Sequence, residues 1–418
     1  HNPAGTDPLR TIWVSPTGTG NGLTVGAPTN LNNYLFGITA SPGDQVRMMA
    51  GTHDVNSGTP IVAQGTAANP IRFVRHTAGG VPVIQNTVDG STFGFSNSYY
   101  VGLHGLEIDG QAKDTWCLTF GRRHSGDSTS RIRCHHIDVW HTEVHTPRQT
   151  CTVFGGTSDG SGGLASPGRG HDVHWYSCEM HTSGAGVDNH YAELLYHGSG
   201  NTSSDYVETA CVESSSFHDS PCGEATDFKH AAENCGVHGC LFYNIRVQSQ
   251  GPIVAQKSQN FQVHYNILYD IDECTDALKL VTAGGVAYDG CAIWMSDGDA
   301  SFNVAWDIGD SFLITPKYAG TVTMTNNTAW NTQTRNAGGT ALHLQGNNPS
   351  DGTIPTVNFD TSTISDDGSE GSTNAAVSDF VGLTTGTAQE AANGKDGSGF
   401  KLASGSAIGA AIGALGKA

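Results

Sequence analysis

A short alternation of apolar and polar residues returns along most of this chain, and it restricts the available folds more than any other feature. It appears in Val101–Ile108, Ile132–Val139, Val173–Met180, Val212–Phe217, Val237–Phe242, Val263–Leu268 and Val322–Trp330. Val212 to Val237 is 25 residues and Val237 to Val263 is 26, while upstream the interval grows to 31–41. Period-two alternation broken by Gly, Asn, Asp and Ser marks strands separated by turns. A unit of about 25 residues is too short to hold a crossover helix, so each unit must stack on the last to bury its apolar face. A propeller would ask for about 40 residues per blade at a regular hairpin period. The reading is therefore all-β, a parallel β-helix with loops inserted into some coils.

The flanks differ in kind. Residues 1–55 read as a cap, with a strand at Ile12–Ser15 and a short helix N-capped by Thr29 running through Leu31, Leu35 and Ile38. Pro42, Gly43 and Asp44 stop that helix, and a strand at Gln45–Met49 and a turn at Gly51–His53 follow. A cap is needed because the first coil would otherwise leave its core and a strand edge open. Residues 56–349 carry the solenoid. From 350 to 418 the composition turns to Ser, Asp, Thr and Gly, and small apolar Leu402–Ala418 reads as a strap along the solenoid.

Composition narrows the function classes. The net charge of −19 disfavours nucleic acid, whose phosphates require a basic surface. No uninterrupted apolar run of about 18 residues is present, so no membrane span is expected. With 37% hydrophobic residues, the chain can bury a large core. The polar start His1, Asn2, Pro3 fits a processed, secreted chain. All 10 cysteines lie between Cys117 and Cys291, which reads first as disulfides, with small buried hydrophobes as the alternative. The pairing stays open.

The N-terminal strand, Ser41–Asp44, Ala50–His53 and Ala68–Ile71 resemble secreted right-handed parallel β-helix proteins, and so do Gly405–Gly409 and Ile412–Leu415. The succession Ala192–Ser199, Val212–Phe217, Gly223–His230 and Ser249–Val254 is similar to chondroitinase B and the related alginate lyases. The Asp227-Phe228-Lys229 element is similar to the calcium-dependent pectate lyases. The resemblance implies a polysaccharide lyase acting on an anionic, uronate-containing polymer by β-elimination. In those families calcium held by carboxylates binds the uronate and a lysine removes the C5 proton. Carried over by position, Lys229 is the base, Glu193 and Glu224 are calcium ligands, and Asp227 joins them under the pectate-lyase alignment. The chain departs from the alginate-lyase pattern at Gln256-Lys257, where an Arg-His pair is expected.

The residues themselves add chemistry to this. Positions two apart share a strand face, so Asp227 and Lys229 point the same way. Aligning Gly223 with Gly251 stacks Lys257 on Lys229, and one ammonium beside another lowers the pKa of the pair, as a lysine base requires. Arg246 is a candidate acid, and His197 and His230 are candidate acid, base or uronate-contacting groups. The chain has 19 histidines, many recurring between His135 and His238, so a His-lined groove or a transition-metal cluster is also open. Trp116, Trp140, Trp175, Tyr191, Tyr196 and Tyr243 are candidate sugar platforms or core stacks. Arg122, Arg123, Arg131, Arg133, Arg148 and Arg169 form a local basic stretch suited to a polyanion. Two alternatives compete. One is a glycoside hydrolase using carboxylates among Asp188, Glu193, Glu224 and Asp227. The other is a non-catalytic surface or filament protein. A monomer is expected, with self-assembly through strand edges as the alternative.

Overall fold

The computed structural model describes residues 8–56, 61–86, 91–113, 116–121, 134–154, 170–184, 193–197, 207–228, 235–247, 251–255, 259–274, 290–309, 312–315, 320–332 and 342–344, with short strands at 356–360, 363–364, 380–381 and 401–402. Alternating segments pair in parallel with their counterparts one coil away, which builds three long sheets. Sheet A has 12 strands, sheet B 11 and sheet C 9 among the described residues. One coil runs through Tyr99–His104 in sheet A, Glu107–Asp109 in sheet B and Trp116–Phe120 in sheet C. The chain then returns to sheet A at His135–Trp140, beside the strand it left.

The register corrects the repeat. Ile137 stands opposite Val101 on one side and Val173 on the other, so these two coils take 36 residues each. Val173 faces Ala210, and Val212 faces Trp175, two positions away from the alignment that matching valines suggests. Downstream, Val212, Val237 and Val263 do stand in register, as their spacing predicts. Sequence alone misplaced the upstream coils because both positions of a strand that point inward carry interchangeable aliphatics.

Residues alternate between the hollow of the coil and its outside, and the inward ones fuse into a single core from Ile12 to Ala329. Its most ordered part is a ring column in sheet C. Phe95, Phe120, Phe154, His197 and Phe228 stand in register, with Phe95 stacked on Phe120 at 5.2 Å and His197 on Phe228 at 4.3 Å. The corner between sheets A and B needs only two residues. Its first adopts a left-handed conformation in coil after coil: His141, Ser177, Ser214, Tyr265, Phe302 and Asn326 have φ between 49° and 59°. The second points inward, and where it is Ser or Asn its side-chain oxygen accepts a backbone N–H of the coil before it, as Ser215 Oγ does from Cys178, Asn266 Oδ1 from Cys240 and Asn303 Oδ1 from Asn266.

At the N-terminal end, Arg10 makes a paired ion contact with Asp44, and the buried Tyr34 hydroxyl donates to the same carboxylate at 3.0 Å. The short helical turn spans Asn33–Gly37, and its start is held by Asn30, not Thr29: the Asn33 N–H donates to Asn30 Oδ1. Gly51–Val55 is a strand where a turn was expected. One disulfide forms among the described residues, Cys222–Cys274. Cys134, Cys151, Cys178 and Cys240 are instead buried thiols that donate to backbone carbonyls. Beyond residue 349, Thr356–Asp360 and Thr363–Ile364 add strands to sheets A and B, and Lys401 and Leu402 pair with Val381 and Phe380; the rest of the expected strap lies outside the described residues. No helix among the described residues is long and apolar enough to cross a membrane.

Candidate functional site

Of the acidic residues singled out from the sequence, Glu193 and Glu224 lie where sheet B turns into sheet C, and Asp188 lies outside the described residues. Cys151 N–H donates to Glu193 O at 3.1 Å and Leu194 N–H to Glu224 O at 3.0 Å, so the two glutamates hold equivalent places on adjacent coils. Strand pairing separates such neighbours by about 4.8 Å. Both are nearly wholly buried, Glu193 at 4% and Glu224 at 3% exposure. The Thr150 hydroxyl donates to Glu193 Oε2 at 2.8 Å. Asp227 lies just beyond, on the outer face of sheet C between Tyr196 and Val254, and is 1% exposed. The Cys222–Cys274 disulfide pins this corner two residues before Glu224, and the Gly223 N–H donates to Arg246 O at 2.8 Å.

Lys229, His230, Lys257 and Tyr191 lie outside the described residues. The pairing that leads into them does bear on the stacking argument. Thr226 stands opposite Ile253 and Phe228 opposite Ala255, an offset of 27. Aligning Gly223 with Gly251 requires 28, so the premise that set Lys257 over Lys229 is one residue out of register with the strand. Arg246 brings its backbone to the site but not its charge, because its guanidinium bonds the Asp270 carboxylate and carbonyl, both at 2.9 Å.

His197 belongs to the interior and not to a groove. It is fully buried in the ring column, accepts the Trp175 indole N–H on Nε2 at 3.0 Å, and its burial lowers its pKa to about 3. Histidine at this position passes for phenylalanine: flat, aromatic and neutral. Trp175 is likewise a core residue.

The remaining histidines sort by sheet. On the outside of sheet B, His145, His181 and His218 stack at 5.0 and 4.8 Å, and Tyr243, Tyr269 and Trp306 continue the same stack. Each imidazole also reaches a glutamate one coil back: His145 to Glu107, His181 to Glu143 and His218 to Glu179, at 3.0–3.2 Å. Burial pulls the His218 pKa down, but hydrogen bonds to Asp219 and Glu179 outweigh it and the net shift is upward. The hydrogen bond with His181 holds Glu143, and that with His218 holds Asp219, below the usual carboxylate range. The sequence shows the residue types of this staircase but not that they share a column, since its steps are 36, 37 and 25 residues apart. Tyr243 is a member of that stack, not a free platform. On the outside of sheet A, burial lowers His104 and His238 to about 4.

No protein-family model matches the chain, and no curated protein matches it. Among solved structures it is similar to an alginate lyase from Paenibacillus sp. str. FPU-7, with a TM-score of 0.53 and 12% identity over 85% of this chain and 99% of that one. It is also similar to the pectate lyase Pel9A, with a TM-score of 0.51 and 12% identity over 96% and 91%. The chain is a right-handed parallel β-helix. The likeness covers most of each chain and concerns the course of the backbone. At this identity it carries no residue's role across, because one scaffold hosts many chemistries.

Proposed function

We propose that this β-helix is a secreted polysaccharide lyase that opens a uronate-containing polymer by β-elimination, with Lys229 as the base and calcium held by Glu193, Glu224 and Asp227. The observation that carries the reading is the burial of Glu193 and Glu224 at equivalent places on adjacent coils. Carboxylates withdrawn from water on adjacent coils favour a cation nearby. Carboxylate and hydroxyl oxygens are the donor type a hard divalent ion such as calcium takes, six to eight at a time; the three carboxylates do not close to within 4.8 Å of one another, so the ion would draw them together. When bound, calcium would supply positive charge to the uronate carboxylate, where electron density gathers as the C5 proton leaves.

The rest falls to the chain's own groups. Lys229 follows the strand Thr226–Phe228 directly in sequence. As a neutral amine it takes the C5 proton; the electron pair forms the C4–C5 double bond, and the glycosidic C4–O bond breaks as the departing oxygen takes a proton from water. Asp227, two positions earlier, helps orient the ammonium that results. A chain with a disulfide at the edge of this site suits an oxidising, extracellular setting.

The test is a screen of alginate, pectate, chondroitin, dermatan and hyaluronan for an unsaturated, ultraviolet-absorbing product. Turnover of one polymer is expected, abolished by chelation and restored by calcium. Lys229→Ala should lower it by at least about 100-fold, the range of a lost general base. Full activity in Lys229→Ala would overturn the mechanism. Reducing ends released without an ultraviolet band would mean hydrolysis instead, and no turnover on any polymer would favour a structural protein.

A further inference from the structure

The outer face of sheet A carries a second constellation, on residues the lyase reading does not use. Cys211 and Glu213 are two apart on the strand Val207–Glu213 and so share a face, and His174 of the neighbouring strand stands opposite Cys211. His174 Nε2 lies 3.2 Å from one Glu213 oxygen, and the Cys211 thiol donates to the other at 3.4 Å. One ligand atom from each of the three lies within 4.8 Å of the other two. Bonds of about 2.0–2.3 Å from a tetrahedral zinc to nitrogen, oxygen and sulfur separate the donors by roughly 3.3–3.7 Å, so this side-chain arrangement is close to a coordination shell.

Two features separate this group from the imidazole–glutamate pairs of sheet B. The first is its sulfur. Cys134, Cys151, Cys178 and Cys240 are buried and bond to backbone carbonyls, whereas Cys211 is half-buried and bonds to a carboxylate. The second is the next coil. Gly236 stands opposite Cys211 and His238 opposite Glu213. A Cβ at position 236 would come within 2.5 Å of His238 Nε2, so the imidazole leans across the space the glycine leaves, toward the Cys211 side. The strip thus offers sulfur, carboxylate and two imidazoles from three consecutive coils. Sulfur and imidazole select a borderline-soft transition ion and not calcium.

We propose that His174, Cys211 and Glu213 bind one zinc ion on the outer face of sheet A, with His238 as the fourth ligand, clamping three coils together. The site shares no residue with the calcium proposal, so each stands or falls alone.

Cobalt(II) is the probe, because its tetrahedral thiolate complexes absorb visibly. Titrating the chelator-treated full chain should give one equivalent of cobalt with a thiolate charge-transfer band, displaced by zinc. Cys211→Ser should abolish the band and weaken zinc binding at least tenfold. His238→Ala should keep the band and weaken zinc by about 10–100-fold, and Glu193→Gln should change neither. Zinc should raise the thermal midpoint of the wild type but not of Cys211→Ser, which shows that the variant is folded and has lost the site. Absence of a thiolate band, or equal zinc affinity in Cys211→Ser, would overturn the proposal. Unchanged affinity in His238→Ala would remove the fourth ligand.

Discussion

His197 shows how one residue can be chemically conspicuous and structurally ordinary. Its ring fills a place between Phe154 and Phe228 in the sheet C column, and the Trp175 indole bonds its Nε2. The folded state therefore holds a neutral imidazole, with a pKa lowered to about 3 by burial. A depressed basic pKa means that the unfolded chain takes up a proton the folded chain refuses. The stability associated with the neutral ring is complete above about pH 6.5 and falls as the pH drops below it, by up to about 1.4 kcal/mol per unit. His197→Phe should be less stable at pH 7 by about 1–3 kcal/mol, because it orphans the buried Trp175 N–H. It should also show a flatter loss between pH 6.5 and 4. Urea midpoints measured across that range for both proteins check this, and an identical acid slope would show that the ring is not protected. The sequence hid this placement because the strand Leu195–His197 has only three residues, too few for its alternation to declare which side faces inward.

At the scale of elements, the corner between sheets A and B repeats one device. A residue forced into the left-handed region turns the chain, at a cost of about 1 kcal/mol or more when it is not glycine. The inward residue after it then recovers that cost by bonding the neighbouring coil. Asn303 is the clearest case: its Oδ1 accepts from the Asn266 backbone N–H at 3.0 Å, and its Nδ2 donates to Val263 O at 2.8 Å. Asn303→Ala should cost at least about 2 kcal/mol, since the buried Asn266 N–H and Val263 carbonyl each lose a partner. Chemical denaturation measures this, and a cost within about 0.5 kcal/mol would mean that the ladder is ornamental. The strand–turn–strand unit around these corners was legible as Val237–Phe242 and Val263–Leu268. The left-handed residue was not, because Tyr265 and Phe302 are poor turn formers by type and hold φ of 59° and 58° only because the coils on either side demand it.

For the molecule as a whole, the Cys222–Cys274 bridge closes a 52-residue loop, and in the chain-entropy model such a loop contributes about 4 kcal/mol. It also fastens the corner that presents Glu224. Replacing both cysteines by alanine should lower the thermal midpoint and, under the lyase proposal, weaken calcium more than a distant destabilising change such as Asn303→Ala does. A calcium titration of the two variants separates the effects, and equal affinities would show that the bridge serves stability alone.

The alternation of apolar residues at a spacing near 25 determined the architecture before any coordinates, since a unit that cannot bury its own face must stack. The resemblance of the segments around Glu193, Glu224 and Asp227 to known lyase coils named them as acids worth watching. Which residues meet was decided by register. A coil of 31 residues brings Glu193 beside Glu224, coils of 36 and 37 bring three histidines into one stack, and one of 37 brings His174 beside Cys211. Those lengths follow from how much chain each loop between strands takes up, a property of packing around the whole coil that no local pattern records.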